Sequence, residues 1–165
     1  AYKRPSLILQ DVQRLLDIAR RIGPIQIVFA GKAHPKDNLG FTYVNEMLTT
    51  IDSLEKETDL VRVMMLENYD TYFGKLLSSS VDVWLNNPLP PFEASGTSGM
   101  KAVLNGVLQL STLDGWVVEA ADKNIGWIIG WASSISRSSG EEAMTGSGIG
   151  NERALTRSAM VKMTL

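Results

Sequence analysis

The first 130 residues alternate between two hydrophobic patterns. In residues 6–22, apolar side chains recur every three or four positions, which is typical of a helix with one buried face. Short apolar runs rich in β-branched residues follow at 25–30 and 61–66, and such runs are typical of strands buried on both faces. Between these two strands, the spacing of apolar residues in 45–54 predicts a second helix.

The same alternation continues with shorter elements. It predicts a helix at 71–77, a strand at 81–85, a helix around 100–104, a strand at 107–110 and a last apolar stretch at 126–130, with a turn at Asp114 and Gly115. Strands that alternate with helices favour an α/β, Rossmann-like fold, in which a mainly parallel sheet carries helices on both faces.

Polar segments follow the predicted strands at their carboxyl ends. Gly31 and Lys32 follow the first strand, Asn68 and Tyr69 follow the second, and residues 93–101 follow the third. Ligands of parallel sheets bind beyond the carboxyl ends of the strands. We therefore expect these segments to converge on one edge of the sheet, where a binding site would lie.

Composition narrows the class of protein. The chain has 165 residues, 44% of them hydrophobic, which is enough for one globular domain with its own core. A net charge of −2 gives no electrostatic reason to expect nucleic acid or an anionic membrane as partner. The chain has no cysteine, signal peptide or membrane-length apolar run, so a cytoplasmic protein without disulfides is expected.

Residues 93–101, with the sequence EASGTSGMK, combine glycines, hydroxyls and a lysine where a loop turns into a helix. The first turn of a helix has free N–H groups and a positive dipole end, which suit an oxyanion or a phosphate. Gly96 and Gly99 would let the backbone approach such a ligand closely. Taken alone, such a segment favours the simpler interpretation of a capped helix with a solvated lysine, and neither the P-loop nor the Rossmann glycine pattern is present.

The longer string from 93 to 115, EASGTSGMKAVLNGVLQLSTLDG, resembles the pyridoxal-phosphate segment of the α-glucan phosphorylases. This family includes glycogen, starch and maltodextrin phosphorylases. Three further strings resemble family motifs in the same order: YKR at 2–4, AGKAHP at 30–35 and LENY at 66–69. The resemblance runs from Tyr2 to about Trp131, and the chain's length implies a part of the C-terminal lobe of a two-lobed glycosyltransferase.

The resemblance divides the chain in two. Residues 1–131 are expected to form the pyridoxal-phosphate-binding part of the lobe. Residues 132–165 do not resemble the family, are rich in Ser, Gly and Thr, and lack an apolar period before Leu155. Because such a composition buries too little apolar area to offset chain entropy, we expect a poorly ordered tail.

For the cofactor, the resemblance implies that Lys101 holds pyridoxal phosphate through a Schiff base. Thr97, Ser98 and Gly99 would bind its phosphate, and Tyr69 would pack beside its ring. A Schiff-base lysine must lose its proton, which burial against apolar neighbours favours. We expect that cover from Met100, Val103 and Leu104. Without the resemblance, these residues would be a surface lysine, helix-capping groups and an ordinary half-buried tyrosine.

For the substrates, the resemblance implies that Glu93, Ser95 and Gly96 hydrogen-bond the transferred sugar and that Lys3 contacts the phosphate substrate. Lys101 and Lys3 are therefore the catalytic candidates. The ordinary alternatives are a solvated loop carboxylate for Glu93 and an unremarkable terminal lysine for Lys3. The family also uses an arginine a few residues before the tyrosine of its Y-K-R motif, which is Tyr2 here. The position of that arginine lies before Ala1. His34 is given no role, Lys32 is a weak candidate for an anion contact, and no metal site is expected.

The implied reaction is phosphorolysis of α-1,4-glucan by phosphate to glucose 1-phosphate and a shortened glucan. In this family the cofactor phosphate is understood to act beside the substrate phosphate as an acid/base or electrostatic partner. The chain alone is expected to be inactive, and a homodimer of the full-length enzyme is left open. Two alternatives are a non-catalytic cofactor- or sugar-binding domain and a lobe of a nucleotide-sugar glycosyltransferase; a Schiff-base lysine argues against the second.

Overall fold

A computed structural model describes residues 2–31, 38–130 and 159–164. Six strands form one sheet in the order β2-β1-β6-β3-β4-β5, and every neighbouring pair is parallel. The strands are β1 (Ile25–Ala30), β2 (Val61–Leu66), β3 (Val83–Asn86), β4 (Leu108–Thr112), β5 (Gly126–Ile129) and β6 (Ala159–Thr164). The helices are α1 (Val12–Ile22), α2 (Asn38–Glu57), α3 (Thr71–Ser80), α4 (Thr97–Leu104) and the short α5 (Val117–Ala120).

Helices cover both faces of the sheet, as the α/β pattern predicts. Side chains alternate along β1, so Ile27 and Phe29 pack into one core cluster with residues of α1 and α2. Val28 and Ala30 pack into a second cluster with residues of α3 and α4. The predicted fold class, a mainly parallel sheet with a helical layer on each face, is therefore confirmed.

The prediction of one continuous helix at 6–22 is wrong. Pro5–Leu9 form a short 3-10 helix, and α1 begins only at Val12. The break lies at Asp11, whose side chain accepts a hydrogen bond from the Arg14 N–H at 3.0 Å and so caps a new helix. The apolar spacing crosses this break without interruption, because both helices bury residues in the same cluster.

The strand predictions agree most closely where apolar runs are long. β1 and β2 have the predicted bounds, whereas β3 begins two residues later than predicted and β4 ends two residues later. Helix α2 extends well beyond the predicted residues 45–54, and α5 follows the predicted turn at Gly115.

Strand β6 lies inside the segment for which poor order is expected. Ala159–Thr164 run parallel between β1 and β3, in the middle of the sheet. The remaining tail residues, 132–158 and 165, lie outside the described residues, and for them the expectation stays a prediction. Among the helices that the structure describes, none combines the length and the apolar character needed to cross a membrane.

Candidate active site

A cavity of about 600 Å³ opens between α3 and α4. Its lining includes Tyr69, Lys75, Trp84, Ser98, Lys101 and Asn105. The volume lies within the usual range of sites for small ligands and cofactors. Tyr69, Ser98 and Lys101 are predicted cofactor contacts from segments that follow different strands, and they line the same cavity.

Gly96 is the N-cap that precedes α4 and has a left-handed backbone conformation with φ 88°. Glycine adopts this conformation without the cost that a Cβ imposes. The N-cap is glycine and has no side-chain acceptor, and the Gly99 N–H donates to the Gly96 carbonyl at 3.1 Å. The N–H groups of Thr97 and Ser98 are therefore the ones in this turn that can bind an oxyanion. Ser98 is half-buried in this turn, while Thr97 and Ser95 are exposed.

Gly96 and Gly99 have a packing role that their sequence context does not indicate. A Cβ on Gly99 would lie 3.0 Å from Gln109 Oε1 and 3.1 Å from Trp116 Nε1, and one on Gly96 would lie 3.2 Å from Trp116 Cδ1. Both glycines therefore let the loop pack closely on Trp116. Close packing explains why these positions exclude side chains independently of any ligand.

The expected apolar cover over Lys101 is not found. Lys101 is exposed, and Leu104 is 86% exposed. The reason is the helical period, because α4 turns Gly99 and Ala102 towards the core and leaves Lys101 and Leu104 on the outer side. In the part of the chain that is described, Lys101 lies at an open cavity wall rather than in an apolar pocket.

Tyr69 follows β2, and its half-buried ring packs against the second core cluster. A Cβ on Gly74 would lie 2.9 Å from the Tyr69 hydroxyl oxygen, so the glycine leaves room for the phenol. Gly74 lies in α3, one turn beyond Asp70, which caps the helix by accepting a hydrogen bond from the Phe73 N–H. This capped start fixes the first turn of α3 beside the tyrosine.

A second group of predicted residues meets outside the cavity lining. Lys3 Nζ lies 3.2 Å from Glu93 Oε2, although the two residues are 90 positions apart in the chain. Glu93 is 8% exposed and Lys3 30% exposed, so the ion pair is partly shielded from water. The predicted phosphate contact and the predicted sugar contact are thus direct neighbours.

Lys3 is held in place by the residue that follows it. Arg4 has a left-handed backbone with φ 46°, and its guanidinium donates to the Asn87 and Pro88 carbonyls, both at 2.9 Å. The Asn87 side-chain amide donates to the Arg4 carbonyl at 3.0 Å, and the Leu89 N–H donates to the Tyr2 carbonyl at 2.7 Å. These bonds fix the N-terminal segment to the loop after β3.

Glu93 is held by a buried turn whose role the sequence analysis missed. Asp114 is 7% exposed and accepts the Glu93 N–H through Oδ2 and the Gly115 N–H through Oδ1, both at 2.9 Å. The Trp116 N–H donates to the Ser95 carbonyl at 2.9 Å. The sequence signal at Asp114 and Gly115 indicated a turn only, and nothing in it pointed to the residue 93–95 loop. Lys32 and His34 lie outside the described residues.

Comparison with known proteins decides the family. Residues 1–130 match the sequence model of the carbohydrate phosphorylases. The chain belongs to this family. It is 48% identical over 131 residues to a glycogen phosphorylase of Aquifex aeolicus, and the aligned region covers 78% of this chain and 18% of that protein. It is 47% identical over 130 residues to a maltodextrin phosphorylase of Thermococcus litoralis, and the aligned region covers 78% of this chain and 15% of that protein.

A glycogen phosphorylase of Mycobacterium tuberculosis is 44% identical over 139 residues, or 82% of this chain and 15% of that protein. The chain therefore spans less than a fifth of the length of these curated relatives. It corresponds to a fragment of the full enzyme.

Proposed function

We propose that this chain forms the pyridoxal-phosphate-binding part of an α-glucan phosphorylase. With the rest of the enzyme, it would convert α-1,4-glucan and phosphate into glucose 1-phosphate and a shortened glucan. The observation that carries the proposal is the shared cavity of Tyr69, Ser98 and Lys101. The names of the relatives, glycogen and maltodextrin phosphorylases, support the substrate class.

The residues around the cavity fit the chemistry of this cofactor. Lys101 offers an amine at an open wall, where an aldehyde can reach it. The first turn of α4 offers the N–H and hydroxyl donors of Thr97 and Ser98 to a phosphate, and Gly99 would let the phosphate approach this turn closely. The Tyr69 ring offers a flat apolar surface beside them. When bound, pyridoxal phosphate would supply a phosphate group that acts as an acid/base or electrostatic partner of the substrate phosphate.

The Lys3–Glu93 pair would bind the other reactants. The Lys3 ammonium is a compact cation in a partly shielded position, where its attraction for a phosphate is stronger than at an exposed surface. The Glu93 carboxylate has further lone pairs with which it can accept hydrogen bonds from sugar hydroxyls. Ser95 and Gly96, on the same loop, would add a hydroxyl and a backbone N–H. Asp114 would keep this loop in position.

In this proposal the chain by itself binds cofactor and ligands, and turnover requires the remaining parts of the enzyme. A non-catalytic binding domain is therefore the alternative that the short span of the chain favours. The cytoplasmic location and the homodimer of the full-length enzyme stay predictions.

An absorbance titration with pyridoxal phosphate tests the proposal. The unchanged chain should give a saturable band of protein-bound cofactor that differs from the free aldehyde. Lys101→Ala should lose this band, whereas Lys75→Ala, which changes another lysine of the same cavity, should keep it. An unchanged band in Lys101→Ala would contradict the proposed role of this lysine.

A further inference from the structure

The Lys3 ammonium has close partners within the chain itself. Glu93 faces it with both carboxylate oxygens, Oε2 at 3.2 Å and Oε1 at 3.5 Å from Nζ. The aromatic ring of Tyr2 also lies near the ammonium, with its centroid 5.4 Å from Nζ. The positive charge of Lys3 is therefore already paired with a negative charge of the same chain.

The two members of this ion pair differ in their access to solvent. The Lys3 side chain is 30% exposed, whereas the Glu93 side chain is 8% exposed. An anion that arrives from water can therefore reach the ammonium, while the carboxylate lies behind it. Because an ammonium has three N–H donors and a carboxylate has two oxygens, the pair leaves at least one donor of Lys3 for such an anion.

Glu93 has strong reasons to stay with Lys3. Its backbone is fixed by the hydrogen bond from the Glu93 N–H to Asp114 Oδ2 at 2.9 Å. Among the residues that the structure describes, Lys3 is the one cation within ion-pair distance of the Glu93 carboxylate. A buried carboxylate that loses its cation is costly, so an anion that binds Lys3 has to act against the attraction of Glu93.

We propose that Glu93 is an internal counter-ion that competes with phosphate for Lys3 and thereby sets the phosphate affinity of this site. The inference rests on the proposed function, in which Lys3 contacts the substrate phosphate. A phosphate on Lys3 would lie close to the Glu93 carboxylate, because the ammonium and the carboxylate are only 3.2 Å apart. Two negative charges this close repel each other, and partial burial strengthens the repulsion because it lowers the effective dielectric constant.

Glu93 would therefore have a second role beside its contact with the sugar. It holds the Lys3 ammonium in a defined position, and the same attraction lowers the affinity of that ammonium for a free anion. A purely structural carboxylate would hold Lys3 in place and so favour phosphate binding. The two roles thus predict opposite effects when the charge of Glu93 is removed.

A titration of the full chain with inorganic phosphate, followed through the NMR signals of the backbone amides of residues 3 and 93, tests the competition. Glu93→Gln keeps the size of the side chain but removes its charge, so this variant should bind phosphate about fivefold more tightly than the unchanged chain. Lys3→Met should lose the binding, and Lys3→Met combined with Glu93→Gln should not regain it. Glu46→Gln removes the same charge from an exposed position on α2 and should leave the phosphate affinity unchanged.

Glu93→Asp provides a second comparison that does not depend on the folding of Glu93→Gln. Aspartate keeps the negative charge but draws the carboxylate back from Lys3 by one methylene. The phosphate affinity of Glu93→Asp should therefore lie between those of the unchanged chain and Glu93→Gln.

The outcomes separate this inference from the proposed function on which it rests. If Lys3→Met loses the binding but neither Glu93 variant binds phosphate more tightly than the unchanged chain, the competition is overturned and Lys3 keeps its proposed role. An equal gain in Glu46→Gln would overturn the competition as well, because the effect would then come from net charge alone. Binding that persists in Lys3→Met, or that is absent from Glu93→Gln, would contradict the phosphate contact of Lys3 and with it the inference.

A double-mutant cycle of Lys3→Met and Glu93→Gln in urea, with and without saturating phosphate, gives a readout that does not use the NMR signals. Phosphate stabilises each folded variant according to its affinity, so it should stabilise Glu93→Gln more than the unchanged chain. The coupling between Lys3 and Glu93 should therefore be smaller in phosphate than in sodium chloride of the same ionic strength. A coupling that is equal in the two salts would overturn the inference.

Discussion

Lys3 and Glu93 form a partly buried ion pair in which Nζ lies 3.2 Å from Oε2. Each partner is anchored separately, Lys3 through the hydrogen bonds of Arg4 to the loop after β3 and Glu93 through Asp114. The pair therefore joins two segments whose backbones are each anchored by hydrogen bonds. This lowers the entropic cost of the interaction and sets the position of both charges relative to the start of α4.

A double-mutant cycle with Lys3→Met and Glu93→Gln should give a coupling free energy of about 1 kcal/mol, because the pair is partly shielded and its segments are fixed. The matched control is Lys56 and Asp52, an exposed pair on α2 with side chains 74% and 67% exposed. That pair should give about 0.3–0.5 kcal/mol. Urea unfolding of the six variants and the unchanged chain measures both values. Coupling for Lys3 and Glu93 no greater than for the exposed pair would show that the anchoring adds nothing.

Gly115→Ala should destabilise the protein by about 3 kcal/mol, because a Cβ there would lie 2.5 Å from the Ser95 carbonyl oxygen and the backbone has φ 57°. Gly106→Ala separates the two causes, since Gly106 has φ 81° but no atom within 4 Å of the added Cβ. This control should cost only the backbone strain, about 1–2 kcal/mol. Denaturant unfolding of both variants measures the difference. Equal losses of stability in the two variants would mean that the close approach of Gly115 to the loop of residues 93–95 adds nothing to the cost of the substitution.

Asp114→Asn should loosen the same loop, because an amide has one carbonyl oxygen where the carboxylate accepts both the Glu93 and the Gly115 N–H. We expect a loss of about 1–3 kcal/mol and faster hydrogen exchange at the Glu93 amide than at core amides of β1. Asp59→Asn, on an exposed pair with Arg62, should change neither quantity measurably. Glu93 exchange that rises only in parallel with global unfolding would argue against a local role for Asp114.

The sequence predicted the bounds of strands most accurately where the burial of apolar side chains is the dominant interaction. β1 and β2 are continuous apolar runs whose burial on both faces leaves little freedom in their bounds. The helix at 6–22 was predicted too long because the spacing of apolar residues carries no information about local hydrogen bonds. The Asp11 cap ends one helix and begins another, while the apolar residues on both sides still face the same core. β6 could not be predicted, because its position depends on backbone pairing with β1 and β3, strands distant in sequence.

The site shows the same division. Sequence motifs predicted Tyr69, Ser98 and Lys101 as cofactor contacts, and these side chains line one cavity. The contact of Lys3 with Glu93 and the support from Asp114 are long-range hydrogen bonds, which have no periodic signal. The apolar cover of Lys101 was inferred from neighbours in sequence, but a helix turns successive residues to different sides, so Leu104 lies in solvent.

The purified chain should show no glucose 1-phosphate production from maltodextrin and phosphate. The physical reason is that it spans less than a fifth of the relatives, so most of the enclosing cleft that catalysis needs is contributed by other parts. A coupled assay for glucose 1-phosphate measures this directly, with a complete phosphorylase as positive control. Turnover at a rate typical of enzymes, on the order of 10 per second, would contradict this prediction.

The central claim is that Lys101 is the lysine that holds the cofactor. Three variants define the chemistry around this side chain. Lys101→Ala should leave the fold intact, because the residue is exposed on a helix that accepts alanine readily. Lys101→Arg keeps the charge but cannot form an imine, since a guanidinium stays protonated. Lys75→Ala removes another lysine of the same cavity and should bind cofactor normally.

Peptide mapping after treatment with pyridoxal phosphate and borohydride tests that claim most directly. Reduction fixes the cofactor to whichever lysine holds it, and mass spectrometry of the digested chain then identifies the labelled residue. The account predicts that the label in the unchanged chain is concentrated on Lys101 and disappears in Lys101→Ala and Lys101→Arg. A label found on Lys75, Lys3 or Lys32 as often as on Lys101 would contradict it, because such labelling is nonspecific surface chemistry.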